Sequence, residues 1–348
     1  MKINRSRKQT TFSTLLMLFG VLCFQGEMRT AGLSPLQVGM AQSVSKPQQS
    51  PPASPQPPDL VNFGEPDKNR AWTLRLRDNG NLTEVHVLGE IRFTGDYRDI
   101  QSISRNGYFR LEEQRGTTKR SYDVRPDSNG QLITVYEVQG QKRSLDAEAR
   151  AWFGDTLLEI VRQNALDVAV RTQNLLRSGG VGAVLNEITR INNDYAKSRY
   201  FDELVRSGRL DSAMLTEVER QLAREVKNDY YKARVFVTIA ELYLETDANL
   251  PAFFETVRTI GNDYYWARVL DAVLTRDKLS RAALVGTLKS AASISSDYEK
   301  ARVMLKVAAN VTQDGSLRAS LLDAAKTINS EYERNRVLAA IATQDNRN

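Results

Sequence analysis

Hydrophobic and polar residues follow two different periods along the chain, and the change falls close to Asp146. Between Trp72 and Leu145 apolar residues alternate with polar ones in short runs, which is the pattern of strands with one packed and one wet face. The clearest runs are 72–76, 84–88, 90–93, 108–111 and 132–136. After Asp146 the apolar positions recur every three to four residues, which predicts helices. The order of the two patterns predicts an α+β protein, with strands first and helices after.

Turn sequences separate the runs of the first region. The clearest of these are Asn79-Gly80, Asn106-Gly107, Arg115-Gly116 and Asn129-Gly130. Asn and Gly tolerate the positive φ angle that a tight hairpin turn requires. We therefore expect a small antiparallel β domain of about six strands within residues 61–145.

The strongest pattern in the helical region is an internal repeat. Its five copies are NDYAKSRYFDELV, NDYYKARVFVTIA, NDYYWARVLDAVL, SDYEKARVMLKVA and SEYERNRVLAAIA, and their acidic residues are spaced by 35, 34, 34 and 34 residues. A fixed period of this length is typical of stacked helical units, because no single unit can bury its apolar face without its neighbours.

Each copy predicts a pair of helices. Asn or Ser before the acidic residue is a helix N-cap, and the acidic charge suits the positive end of the helix dipole. In the third copy, 269–274 carries an apolar stripe, a break falls at 275–280, and a second helix follows from Arg281 to about Ser293. Two helices per unit predict a right-handed HEAT/TPR-like α-solenoid of about five two-helix repeats over residues 146–348, with 152–190 as an irregular first unit.

The repeated phrase also resembles a known family. An Asp followed five residues later by Arg, as in DYYKARV and DYEKARV, is similar to the Asp and Arg ladder of HEAT-like α-hairpin repeats. The SDYxxARVL phrase resembles tandem repeats of exported bacterial proteins, which are also attached to BlaR1-type membrane peptidases. The resemblance covers about residues 185–345 and implies repeat architecture. The peptidase activity is not implied, because the HExxH zinc motif and the several membrane spans that it needs are absent from the sequence.

Tyr recurs one place after each acidic residue, and Arg five places after it, on the same helix face. The candidate residues are Asp194, Tyr195, Arg199, Asp229, Tyr230, Arg234, Asp263, Tyr264, Arg268, Asp297, Tyr298, Arg302, Glu331, Tyr332 and Arg336. One hypothesis is a ladder that fixes each repeat on the next. The other is an exposed aromatic and cationic ribbon that binds a peptide, a glycan or an acidic partner. A candidate aromatic patch combines Tyr230, Tyr231, Tyr264, Tyr265 and Trp266.

The pattern of the first sixty residues predicts an export signal followed by a linker. Positions 2–8 are basic, 12–24 are almost wholly apolar, and small residues precede a cut after Ala41, which is the pattern of a signal peptide at 1–41. Six of the ten prolines fall between Pro47 and Pro58, so 42–60 is a Pro/Gln/Ser-rich linker. We expect an exported protein, periplasmic or extracellular, with membrane contact only through an N-terminal segment that escapes cleavage.

Composition and charge exclude several kinds of site and partner. Cys23 and His86 are the only residues of their types, which excludes an intrachain disulfide and a zinc site built from His and Cys. Residues 1–41 carry a net charge of +4 out of the +6 of the whole chain, so the remainder has no basic footprint for nucleic acid. No catalytic, metal-binding or cofactor-binding residue is assigned, and no cofactor is expected.

The first functional hypothesis is a non-enzymatic exported scaffold that binds a protein or peptide partner. An alternative is a cell-envelope glycan or peptide hydrolase that uses carboxylates of the β domain, for which the candidates are Asp96, Asp99, Glu112 and Glu113. A further alternative, implied by the resemblance alone, is an accessory or sensory partner of a membrane peptidase. Trp152 and Phe153 are the expected contact between the sheet and the first helices.

Overall fold

The computed structural model of the protein describes residues 71–78, 80–276, 278–310 and 314–345. The predicted signal peptide and linker lie outside the described residues. Within them, an antiparallel β domain precedes a helical region, which confirms the α+β class. None of the described helices is both long and apolar enough to cross a membrane.

In the described part of the chain, eight strands form two antiparallel sheets. They are β1 Trp72–Asp78, β2 Asn81–Leu88, β3 Ile91–Phe93, β4 Ile100–Ile103, β5 Tyr108–Arg115, β6 Thr118–Pro126, β7 Leu132–Val138 and β8 Gln141–Arg143. Six of them form one sheet in the order β1-β2-β5-β6-β7-β8, and β3 pairs with β4. The turns confirm the role of Asn and Gly, because φ is positive at Gly80, Asn106, Gly116 and Gly130.

Eleven α-helices follow within the described residues. They are α1 Ala147–Gln163, α2 Val168–Ile188, α3 Asp194–Arg206, α4 Ser212–Glu225, α5 Asp229–Tyr243, α6 Leu250–Val257, α7 Asp263–Leu274, α8 Arg281–Ala292, α9 Asp297–Ala308, α10 Gly315–Ala325 and α11 Glu331–Asp345. A 3-10 turn, Asp247–Asn249, precedes α6. The helix α2 is kinked at Gly179 and Gly180, where the backbone leaves the helical region.

The helices that follow α2 contact one another in two series. The first helices of the copies, α3, α5, α7, α9 and α11, touch in succession, and so do the second helices, α4, α6, α8 and α10. The predicted stripe of the third copy is buried, since Val269, Leu270 and Val273 are all 0% exposed. The predicted caps are also present, because the side chains of Asn193, Asn228, Asn262 and Ser296 accept backbone N–H groups of the helices that they begin.

One face of the six-stranded sheet packs against α1. Phe153 is buried and its ring stacks on that of Tyr122 at 3.8 Å, while Phe109 meets it edge to face at 6.0 Å. The indole Nε1 of Trp152 donates to the carboxylate of Glu113 at 2.8 Å. Both residues expected at the junction between the sheet and the helices therefore lie there, and the prediction is confirmed.

The loop between β3 and β4 ties the β domain to the next helix. The hydroxyl of Tyr97 donates to Asp167 at 2.9 Å, and the guanidinium of Arg171 lies 4.7 Å from the centre of the Tyr97 ring. Arg171 also donates to the buried carboxylate of Glu187 at 2.8 Å. These contacts hold the sheet against the start of the helical region, and none of them involves the repeated helices that begin with α3.

Candidate functional site

The Asp at the start of each repeated helix bonds the backbone just before the next copy. The carboxylate of Asp194 accepts the backbone N–H groups of Lys227 and Asn228 at 2.9 and 2.7 Å. The same pair of bonds joins Asp229 to Gly261 and Asn262, Asp263 to Ser295 and Ser296, and Asp297 to Asn329 and Ser330. These four residues link successive copies. The fifth acidic residue, Glu331, is exposed in the first turn of α11.

A lysine three residues after the Asp performs a second linking role, which sequence reasoning missed. The ammonium of Lys197 donates to the carbonyl of Glu225 at 2.9 Å, and Lys232 and Lys300 donate in the same way to the carbonyls of Thr259 and Thr327. Each acceptor lies at or just beyond the end of the second helix of the same copy, where carbonyl groups lack helical partners. Burial lowers the pKa of Lys232 below its ordinary value. The recurrence of Lys in the repeated phrase was the available signal.

In the third copy Trp266 takes the place of this lysine. Its side chain is buried, and its Nε1 donates to the hydroxyl of Ser290 on α8 at 3.0 Å. Trp266 therefore packs between the two helices of its own copy.

The other four residues of the predicted aromatic patch do come together, and Tyr195 joins them. Their rings form a chain of edge-to-face contacts across α3, α5 and α7. The centroid distances are 5.9 Å for Tyr195 and Tyr231, 5.1 Å for Tyr231 and Tyr230, 5.7 Å for Tyr230 and Tyr265, and 5.3 Å for Tyr265 and Tyr264. Further along, Tyr298 and Tyr332 are 47% and 71% exposed, so the aromatic chain is confined to the first three copies.

The arginines of the five copies differ in their partners. Arg302 pairs with Asp271 and Glu299, while Arg336 pairs with Glu333 and lies over the Tyr332 ring. Arg199 lies 3.9 Å from Glu203. Arg234 lies over the Tyr230 ring, with 5.8 Å from guanidinium to ring centre. Within the described part of the chain, neither Arg234 nor Arg268 forms an ion pair, and both are exposed.

These arginines and tyrosines line a groove of about 240 Å³ across α3, α5 and α7, which we call the arginine groove. Its charged and aromatic lining consists of Arg199, Arg206, Arg234, Arg268, Asp202, Glu241, Tyr230 and Tyr265.

Both carboxylates of the groove act on one of its four arginines. A hydrogen bond from Arg206 to Asp202, at 2.9 Å, raises the pKa of the Arg206 guanidinium, and the charge of Glu241 adds to this effect. The hydroxyl of Thr238 donates to the other oxygen of Asp202 at 2.8 Å. Among the described residues, no carboxylate lies within ion-pair distance of Arg234 or Arg268, although Asp202 and Glu241 line the same groove.

The candidate hydrolytic carboxylates of the β domain are engaged separately. Glu112 and Glu113 are adjacent in β5, so their side chains point to opposite faces of the sheet. Burial tends to raise the pKa of Glu112, but hydrogen bonds from Lys119 and Arg110 outweigh it and lower the pKa overall. A hydrogen bond from the Thr94 hydroxyl holds the pKa of Asp96 below its usual value. Asp99 accepts the backbone N–H of Ile100.

Among the described residues, no group of three or more His, Cys, Asp and Glu side chains is arranged to hold a metal ion. His86 lies on the face of β2 opposite the buried Val85 and Val87, with its Nδ1 3.1 Å from the hydroxyl of Thr73.

Comparisons with protein-family models, with curated proteins and with solved structures find no match to this chain.

Proposed function

We propose that this protein is a non-enzymatic, exported interaction scaffold whose helical repeats form a right-handed HEAT-like α-solenoid and bind a protein or peptide partner in the arginine groove. The observation that carries the proposal is the difference among equivalent arginines. Arg302 and Arg336 are neutralised by carboxylates, whereas Arg234 and Arg268 present their charge to the groove.

The repeat geometry supports the solenoid. Two series of helices each contact in succession, and the four Asp side chains join consecutive copies through the same pair of backbone N–H groups. Identical contacts at a constant period are what a stacked array of helical pairs requires. Such an array offers an extended surface built from equivalent positions of successive units.

The composition of the groove supports binding. Tyrosine and arginine are among the residues that most often carry the affinity of protein interfaces, because they combine a large contact area with directional hydrogen bonds. Arg234 and Arg268 occupy the same position on neighbouring helices, where like charges repel each other. The Tyr230 ring accounts for the position of Arg234, but it does not offset the repulsion between the two charges, whereas an acidic partner would.

Export is supported by the pattern of residues 1–41 and by the proline-rich spacer that follows it. A role beside a membrane peptidase, which the sequence resemblance implies, is a special case of the same function, with the peptidase or its ligand as the partner.

The experiment that tests this function is affinity capture from the exported fraction of the native cell. The intact protein, R234A/R268A and the control K289A/R336A serve as baits, and circular dichroism confirms that all three are helical. The control removes two positive charges outside the groove, one of them at the equivalent repeat position. We expect a partner that the intact protein and the control retain and the groove variant loses. Retention of nothing beyond the bare resin overturns the proposal.

A further inference from the structure

Three arginines of the groove are spaced by the helices that carry them. Arg199, Arg234 and Arg268 occupy the same position in consecutive copies, on α3, α5 and α7. Packed helices lie about 8–10 Å apart, so the three side chains start from points separated by about that distance along a line across the helices. The groove therefore presents guanidinium groups at a nearly constant interval. That of Arg199 is shared with Glu203 at 3.9 Å, while Arg234 and Arg268 form no ion pair among the described residues.

Paired arginines border the charged stretch. Beyond α7 the next arginine, Arg302, is neutralised by Asp271 and Glu299. Along α3, seven residues after Arg199, Arg206 is neutralised by Asp202. An anionic ligand matched to the groove therefore spans three copies, and its charges are needed at Arg234 and Arg268 above all.

The spacing of the arginines limits the conformation of the ligand. An α-helix returns a side chain to the same face after about 5.4 Å or about 10.5 Å, and these values lie on either side of the spacing of about 8–10 Å between the helices that carry the arginines. An extended chain fits better. In a polyproline II helix three residues advance about 9 Å and return the side chain to the same face, whereas a strand returns to the same face after about 7 Å. Only the three-residue period matches the helix spacing.

The tyrosines suit the same ligand. Tyr230 and Tyr265 line the groove between the arginines, and their rings contact each other at 5.7 Å. Aromatic-lined grooves bind polyproline II segments, which lose little conformational entropy on binding. We infer that the arginine groove binds an extended peptide with an acidic residue at every third position, with its apolar residues against Tyr230 and Tyr265. This inference rests on the proposed function and specifies its ligand.

The test uses synthetic peptides and fluorescence anisotropy. The first probe is a labelled peptide of four tandem Glu-Pro-Ala triplets. The second has the same composition with its four Glu residues placed together, and the third carries Gln in place of every Glu. We expect the first probe to bind about tenfold more tightly than the second, which corresponds to about one matched charge contact, and the third not to bind. R234A/R268A weakens the first probe by about tenfold or more, while K289A/R336A changes it less than about twofold.

Two outcomes overturn the inference. Equal binding of the first two probes means that the groove attracts negative charge without reading its spacing. Failure of both acidic probes, while an acidic polysaccharide such as polygalacturonate binds, assigns the groove to a glycan. Neither outcome removes the scaffold function if affinity capture still retains a partner, whereas failure of that capture would remove the function itself. The two failures are therefore distinguishable.

Discussion

Gln163 accepts the backbone N–H of Asn192 at 2.8 Å, in the way that Asp194 accepts that of Lys227 one copy later. The same oxygen of Gln163 also accepts the N–H of Asn193 at 3.3 Å. A neutral amide at the end of α1 thus makes the first link between units, and a carboxylate makes each of the next four. The repeated helices are joined to α1, and through it to the sheet, by the same type of contact that joins them to one another.

The first link uses Gln163 and the later links use Asp, so we predict that removing a link lowers the stability of the protein by different amounts at different positions. Hydrogen bonds to a charged acceptor contribute about 1.5–3 kcal/mol, and those between neutral groups about 1 kcal/mol. We expect Asp229→Ala to lower the free energy of unfolding in urea by about 2–3 kcal/mol, and Gln163→Ala by about 1 kcal/mol. The control is Asp323→Ala, which removes an exposed carboxylate that pairs with Lys326 and should cost less than about 0.5 kcal/mol. Equal losses for all three variants would refute the ladder.

Glu219 predicts a dependence of stability on pH. Its side chain is fully buried in α4, neither oxygen has a hydrogen-bond partner among the described residues, and burial raises its pKa to about 8 from an ordinary 4.5. Because the unfolded chain releases this proton near pH 4.5 and the folded one near pH 8, Glu219 makes the protein progressively less stable as the pH rises through that window. The loss at pH 7 relative to pH 4 is roughly 3 kcal/mol from this group.

The matching experiment compares Glu219→Gln with the native protein by urea unfolding at several pH values. We expect the difference in unfolding free energy to shift in favour of the variant as the pH rises from 4.5 to 8, and to level off above that. Glu217→Gln, which changes an exposed carboxylate two residues away, is the control and should show no such trend. A constant difference between Glu219→Gln and the native protein would mean that Glu219 is not held neutral.

Gly286 predicts a coupling between α6 and α8. A Cβ atom at this position would overlap the Phe254 ring, closer than van der Waals contact allows. In an unobstructed helix, Gly→Ala is stabilising by about 1 kcal/mol, so the native Gly reflects the close approach of the ring. We expect Gly286→Ala to destabilise the native protein by about 1–2 kcal/mol but to stabilise the Phe254→Leu variant. Thermal unfolding of the four proteins of this cycle checks it, and additive effects would contradict the contact.

Phe153 predicts how firmly the sheet is attached to the helices. Its ring is 1% exposed and packs on Tyr122 and Phe109, so Phe153→Ala should cost about 3–5 kcal/mol. Trp152→Phe, which removes the hydrogen bond to Glu113 but keeps an aromatic ring, should cost about 1 kcal/mol. Hydrogen exchange should report faster exchange in β5 and β6 for the first variant, and unchanged exchange and thermal unfolding would reject this role of Phe153.

Local patterns predicted most of the fold, and failed where polar residues mask the alternation. The strand β6 was missed, although its Tyr122 and Val124 are buried on the face that packs against α1. The intervening Ser121 and Asp123 lie on the opposite face and are also nearly buried, the latter under Arg110. A strand with a charged network over one face lacks the simple contrast between apolar and polar positions on which period-based reasoning depends.

The residues of the candidate site could be predicted from the sequence, but the partner that each residue contacts could not. The Asp, Tyr and Arg positions are visible in the repeat, yet Asp263 bonds backbone groups 32 and 33 residues away, a contact that no local pattern specifies. The neutralisation of Arg302 depends in part on Asp271 of α7, the first helix of the preceding copy, and Asp271 lies outside the Asp-Tyr-Arg pattern that recurs along the repeat. Sequence reasoning therefore left two hypotheses open. The geometry assigns the four Asp residues to the ladder, and Arg234 and Arg268 line the groove on which the proposed binding function rests.

Each link of the Asp ladder joins a side chain of one unit to the backbone just before the next unit. The link itself therefore does not depend on which side chains the second partner carries. Each carboxylate binds two backbone N–H groups, which almost any residue provides. A unit can then be duplicated, deleted or exchanged in whole multiples of the period without a new interface having to be invented. Exposed residues outside the ladder, the caps and the buried stripe, including the arginines of the groove, are free to diversify copy by copy. The number of units and the choice of ligand can therefore evolve separately.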